Sequence, residues 1–543
     1  MKKIVNQRSG GGKPSAVGTV YKSGVLRYGR PDSRLVYPSD PGHPNYPESV
    51  RGTEKKYEMN RYDPAKEIER YSFTSGRVAK RVYNIYNPNN YRVSGYYTDW
   101  SQYDGRYEGL FADDKCGRGI DMMLLDDNGR SSIGYDKIII GFAGIVGDKG
   151  EKKQIIDQAA IDFGRAIDQS TFVDGWGDVA SYINCGFPGW VSNDYQALFN
   201  QNVAQGVLGG LRKLKERNPN LALSFSLGGW TMSEAFHWVA RDEAKRRTLV
   251  SSVVDIFNRF PMFTELDIDW EYPGAPGNDG NTYTDDDEEF YRKLVQDMIS
   301  ALKAAGRGDV KISIAVAASV AKMEKANVPG MIEAGVYGIN LMTYDFFGTP
   351  WAERLAHHTN LHRSNPEDSK EDSIDVAVEY LLAEGVPANK IFIGYAAYSR
   401  NARGAQVSSY SPLTGAYNPG DGTTTGSFES GVTEWYDLIY NYIDLEKQQG
   451  LNGFNVYTDH NADADYLYNP ETGLFLSIDT PRSVKAKGEY VRKKGLGGLF
   501  TWTIDLDNGV LLNAAREGLG NSVQQQVIDM SPFYFYGIND QGR

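Results

Sequence analysis

The chain is 543 residues long, 41% hydrophobic and 24% charged, and carries a net charge of −12. That balance fits a folded protein with a sizeable core, excludes a low-hydrophobicity disordered chain, and argues against nucleic acid as the main partner. Two cysteines, Cys116 and Cys185, exclude a disulfide-stapled scaffold and a cysteine zinc site, and leave one bridge or two buried thiols open.

Residues 1–87 read as an N-terminal extension, rich in Pro, Tyr, Arg and Lys, that wraps on the main domain or docks a partner. It opens Met1-Lys2-Lys3 and turns polar at once, without the apolar core of a secretory signal. Its Gly10-Gly11-Gly12-Lys13-Pro14 run lacks the spacing of a phosphate loop. No apolar run in the chain approaches the length of a membrane span.

From about residue 90, short apolar runs alternate with amphipathic stretches. Strands are expected over 91–98, 137–143, 221–227, 263–270, 311–318, 338–344, 390–398 and 498–503. Helices are expected over 203–216, 234–260, 288–305 and 373–383. Apolar strands separated by helices imply a parallel sheet buried on both faces, and eight of them suggest an α/β fold, a closed (β/α)8 TIM barrel over 88–520. The gap before the last strand is too long for one crossover. Residues 403–480, rich in Tyr, Asn, Gly and Thr, are therefore expected to form a small α+β insertion domain. Smaller insertions over 104–134 and around 170–200 carry Cys116 and Cys185, and residues 521–543 read as a C-terminal tail.

The fourth strand holds the densest chemistry. Asp267, Asp269 and Glu271 alternate, so on a strand all three point to one face as a carboxylate ladder, with steps of about 6–7 Å. Crowded carboxylates raise one another's pKa, and paired acids are what glycosidic-bond cleavage requires. A solvated acidic strand and a calcium-binding edge are the bland alternatives. Phe263, Leu266, Ile268, Trp270 and Tyr272 make the segment too apolar for the first, and the calcium-loop spacing with its central Gly is absent. The run Asp285-Asp286-Asp287-Glu288-Glu289 is most simply a helix N-terminus with solvated acids. His357, His358 and His362 lack the His-Glu-x-x-His pattern and read as loop residues, so no metal or cofactor is expected.

The other strand ends form a set with the ladder. The third ends Ser224-Phe225-Ser226-Leu227-Gly228-Gly229-Trp230 and the sixth Met342-Thr343-Tyr344-Asp345-Phe346. The seventh ends Tyr398-Ser399-Arg400 and the eighth Phe500-Thr501-Trp502-Thr503. In this order they resemble the chitinases of glycoside hydrolase family 18 over roughly 88–515, and 403–480 is similar to that family's chitinase insertion domain. One departure stands out: Thr264 and Glu265 occupy positions where the family usually has Asp-Gly.

The resemblance implies substrate-assisted, retaining hydrolysis of β-1,4-linked N-acetylglucosamine polymers. Carried over by position, Glu271 is the general acid and base, and Asp269 holds the substrate's acetamido N–H. Asp267 shares a proton with Asp269, and Tyr344 donates to the acetamido carbonyl. Ser226 and Tyr96 hydrogen-bond the buried acids, and Trp502 is the apolar floor under the reacting sugar. Asp345, Tyr398, Arg400 and Met342 face the substrate, and Trp100 and Trp230 extend the sugar track. Chitin or chitooligosaccharides are the implied partners and extracellular the implied location, without a classical signal. The sequence also looks similar to chitinases associated with insecticidal toxin complexes, which implies protein partners. A chitin-binding or scaffold subunit, and an endo-β-N-acetylglucosaminidase acting on glycoproteins, remain as alternative readings.

Overall fold

The computed structural model describes residues 83–103, 119–120, 134–182, 185–427 and 429–539. Most of the expected N-terminal extension, and most of the 104–134 insertion with Cys116, lie outside them. Eight parallel strands form the centre: β1 (Arg92–Thr98), β2 (Lys137–Ile145), β3 (Ala222–Gly228), β4 (Glu265–Asp269), β5 (Lys311–Ala317), β6 (Gly338–Met342), β7 (Ile391–Ala396) and β8 (Gly498–Trp502). Each pairs with its neighbours in sequence order, and β1 pairs with both β2 and β8, so the sheet closes into a barrel. The strands read as near-continuous apolar runs because helices cover their outer faces while their inner faces fill the barrel.

The expected continuous helix over 234–260 is instead two helices, Glu234–Arg241 and Glu243–Arg259. Asp242 between them is extended, and its carboxylate accepts from the backbone N–H groups of Ala244 and Lys245. An Asp in that conformation starts a helix anew, which the apolar periodicity alone does not reveal.

Between β7 and β8 the chain builds a second sheet of five antiparallel strands. Its spatial order is Leu413–Asn418, Arg400–Tyr410, Leu474–Ile478, Ala464–Asn469 and Asn455–Asp459. Arg400 opens this sheet, so one residue belongs to the barrel rim and to the insertion at once. The junction is fastened by buried Asp479, which accepts from Lys487 Nζ at 2.7 Å and from the Ala396 backbone N–H at 2.9 Å.

The C-terminal residues do not trail as a tail. Val523–Gln525 pairs antiparallel with Ile85–Tyr86, and Ile528, Met530 and Phe533 are buried. Further on, the Ile538 N–H donates to the Val456 carbonyl at 2.8 Å, joining the insertion sheet. Burial of these three apolar side chains holds the segment against the barrel. Among the described residues no helix is long and apolar enough to cross a membrane.

Candidate active site

The barrel interior is organised around β4. Alternation puts Glu265, Asp267 and Asp269 on its inner face, so the ladder has one more rung at the bottom than the three acids read from the sequence. Glu265 pairs with Lys137 Nζ and with Arg92 Nη2, each at 2.6 Å. Burial opposes its charge, but these two cations outweigh burial and hold its pKa at about 2. The departure from the family pattern at this position is thus an ion cluster closing the barrel floor.

Asp267 is fully buried and accepts four hydrogen bonds. Tyr96 Oη and Ser226 Oγ donate to Oδ2, each at 2.8 Å, while Ser313 Oγ (2.8 Å) and Asn340 Nδ2 (3.1 Å) donate to Oδ1. Tyr96 therefore points inward as expected. Ser313 and Asn340 were not anticipated; their signal was small polar residues at inward positions of the fifth and sixth strands. None of the four donors is Asp269.

One rung higher, Asp269 is buried and its Oδ1 has no partner among the described residues. Burial, then the neighbouring Glu271 and Asp267, push its pKa well above the carboxylate range. Glu271 ends the ladder just past the strand, and burial raises its pKa to about 7. Ser233 fixes the main chain at this point: the Glu271 N–H donates to Ser233 Oγ at 3.0 Å, and that hydroxyl reaches the carbonyls of Gly229 (2.8 Å) and Asp269 (3.1 Å). The approach requires glycine next door. At Gly228 φ is +110°, and a Cβ there would lie 2.3 Å from the Asp269 carbonyl.

Around the upper rungs the walls are aromatic. Trp502 is half-buried, stacks on Phe142 (centroids 5.6 Å, 24°) and lies 5.5 Å from the Tyr96 ring. Tyr344 packs on Gly394, where a Cβ would sit 2.7 Å from its ring, and has Tyr398 6.2 Å away. Met342 is half-buried against the same inner cluster of Tyr96 and Phe500. Asp345 stands at the rim with φ +60°, its side chain 37% exposed and the rest buried; it accepts from Tyr398 Oη at 2.8 Å and from Arg400 Nε at 2.7 Å. Burial works against its charge, yet Arg400 and His358 keep its carboxyl far below the usual range. Trp100 and Trp230 are about half exposed, as is Trp351, on which the Arg400 guanidinium lies 5.2 Å from the ring centroid. Trp351 and Phe142 are not legible in the sequence because neither sits in a recognisable strand-end motif. Lys322 stands over the Tyr272 ring at 3.9 Å, and Tyr272 meets Trp230 edge-on at 6.3 Å.

Two peripheral readings change. In the acidic run, Asp287 is buried rather than solvated; its carboxylate accepts the N–H groups of Gly274 and Thr284 and contacts His237 Nδ1 at 2.7 Å. Cys185 is a buried thiol 3.4 Å from Gln102 Oε1. Among the described residues no group of three or more His, Cys, Asp or Glu is arranged to hold a metal ion.

Acids on the C-terminal rim of a (β/α)8 barrel, floored by aromatics, define a glycoside hydrolase. More particularly, the chain belongs to the glycosyl hydrolases family 18, whose family model matches residues 92–507. Chitinase 1 of Yersinia entomophaga is 43% identical over 521 residues, covering 92% of this chain and 94% of that protein. Chitinase 2 of the same organism is 41% identical over 498 residues, covering 85% and 77%. Among solved structures, chitinase Chi1 fitted into the Yersinia entomophaga toxin complex superposes with a TM-score of 0.83 at 41% identity, covering 93% of this chain and all of that one.

Proposed function

We propose that this chain is a chitinase that cleaves β-1,4-linked N-acetylglucosamine chains with retention of configuration, using the substrate's own acetamido group as nucleophile. The observation that carries the reading is the ladder of buried acids ending in Glu271, whose pKa near 7 suits a group that must give and then take a proton. Asp269, whose Oδ1 has no partner among the described residues, receives the acetamido N–H, and its carboxylate form steadies the charge of the cyclic intermediate. Burial first, then Glu271, then Asp267 one rung below raise the pKa of Asp269 and favour a proton on this part of the ladder. Tyr344 donates to the acetamido carbonyl, and Trp502 supports the apolar face of the sugar. Asp345, Tyr398, Arg400, Met342, Trp100 and Trp230 hold the flanking sugars.

The substrate lies outside the cell, so the enzyme works there. The likeness to a chitinase fitted into a toxin complex supports a place in a larger protein assembly. A purely sugar-binding or scaffolding role is disfavoured because the complete acid ladder serves no need of binding alone. Hydrolysis of a fluorogenic N-acetylglucosamine oligomer by wild type and Glu271→Gln tests the reading. Loss of turnover by about 10²-fold or more, with sugar binding retained, supports it; equal rates in the two proteins overturn it.

A further inference from the structure

Behind Asp345, on the side away from the cleft, lies His358, a residue that the reaction above does not use. It is fully buried, its ring 5.3 Å from that of Tyr398, and its own main-chain N–H is fixed by Ser477 Oγ at 2.9 Å. The Asp345 backbone N–H donates to His358 Nδ1 at 3.3 Å, and the next N–H, of Phe346, donates to the His358 carbonyl at 3.0 Å. The segment after β6 is thus held by contacts to one histidine at the point where Asp345 adopts φ +60°, a conformation uncommon outside glycine but open to Asp.

The same Nδ1 also lies 3.8 Å from Asp345 Oδ1. A ring nitrogen accepts from an N–H only when unprotonated, and donates to a carboxylate only when protonated. As hydrogen bonds the two exclude one another, and at 3.8 Å the second is not formed in this structure. From these contacts we infer that His358 is a positioning residue for sugar binding: neutral, it anchors the Asp345 main chain; protonated, it releases that anchor and draws the Asp345 carboxylate away from Tyr398 and Arg400. The inference rests on the reading of the cleft proposed above.

The charged groups facing the ring define the switch. Asp345 and Arg400 lie on the cleft side, and Asp479, paired with Lys487, on the side of the insertion domain. Burial first, and Arg400 after it, favour the neutral ring, while Asp345 and Asp479 favour the cation; the balance lowers the pKa of His358. Asp345 remains ionised in the acid range, held there by Arg400, so the ring is the member of the pair that changes charge.

Steady-state kinetics on an N-acetylglucosamine oligomer decide the matter, run for wild type, His358→Ala and His358→Asn from about pH 4 to about pH 8. Asn carries a carbonyl oxygen where the histidine has Nδ1, so it accepts the Asp345 N–H without titrating. His358→Ala is expected to raise KM about tenfold at neutral pH with kcat within about twofold, because it removes one anchor and no reacting group. His358→Asn is expected to restore the neutral-pH KM. Wild type is expected to show KM rising on acidification, and His358→Asn to lack that rise. An Ala variant with unaltered KM, or an Asn variant that follows the wild-type acid rise, overturns the inference. Should the Ala variant fail to fold, the comparison of Asn with wild type still decides. Turnover retained in Glu271→Gln would instead sink the reading of the cleft itself.

Discussion

The phenol of Tyr96 and the carboxylate of Asp267 meet at 2.8 Å inside the barrel, from two strands that share no backbone pairing. The contact ties β1 to β4 through the catalytic axis and supplies one of four donors to a buried charge. Tyr96→Phe is expected to lower kcat about tenfold with KM within about twofold, and stability by about 1 kcal/mol. Kinetics and urea unfolding of the same variant check both.

At the barrel floor the Glu265 cluster is expected to matter for stability rather than turnover. Its pKa is about 2 against an ordinary 4.5, so its contribution is complete above the ordinary value and is lost as pH falls toward 2. Glu265→Gln leaves buried Lys137 without its partner and should cost about 3 kcal/mol at neutral pH. The acid side of the stability curve should flatten in the variant. Denaturant midpoints across the acid range measure it, and an unchanged curve would contradict the assignment.

What the sequence disclosed, and what it withheld, follows from how far apart the interacting residues lie. Strand alternation placed Asp267, Asp269 and Glu271 on one face, and the eight apolar runs carried the barrel, because both signals are local. Glu265 looked like a mere departure from a motif because its partner Arg92 is 173 positions away, and nothing in a single sequence pairs them. The four donors on Asp267 come from β1, β3, β5 and β6, so only the closed barrel assembles them. Trp351 sits in a loop tied to the insertion sheet, where Tyr417 Oη donates to the Ala352 carbonyl at 2.7 Å, and Asp242 broke a helix through a side-chain cap that apolar periodicity does not register.

Glu271 must be protonated to act as an acid, so kcat/KM should fall as pH rises through about 7. Two neighbours pull this limb in opposite directions. Lys322 lowers the pKa of Glu271 and Asp345 raises it. Lys322→Met should therefore move the basic limb to higher pH and Asp345→Asn to lower pH, each by up to about one unit. Shifts of the same sign in both variants would contradict the electrostatic account.

Trp351 offers a half-exposed ring backed by the Arg400 guanidinium. A sugar stacked there would gain about 1–2 kcal/mol, so Trp351→Ala should raise KM for long oligomers about tenfold and leave the shortest cleavable substrate little changed. Kinetics against oligomer length separate the two.

The most direct measurement is the anomeric composition of fresh product, followed by proton NMR in the first minutes of hydrolysis of an N-acetylglucosamine oligomer. Acetamido attack and a second displacement by water, with Glu271 serving both steps, predict that the new reducing end appears as the β anomer and only later mutarotates. Initial release of the α anomer would mean direct displacement by water, and would contradict the roles of Asp269 and Tyr344 in aligning the acetamido group for attack.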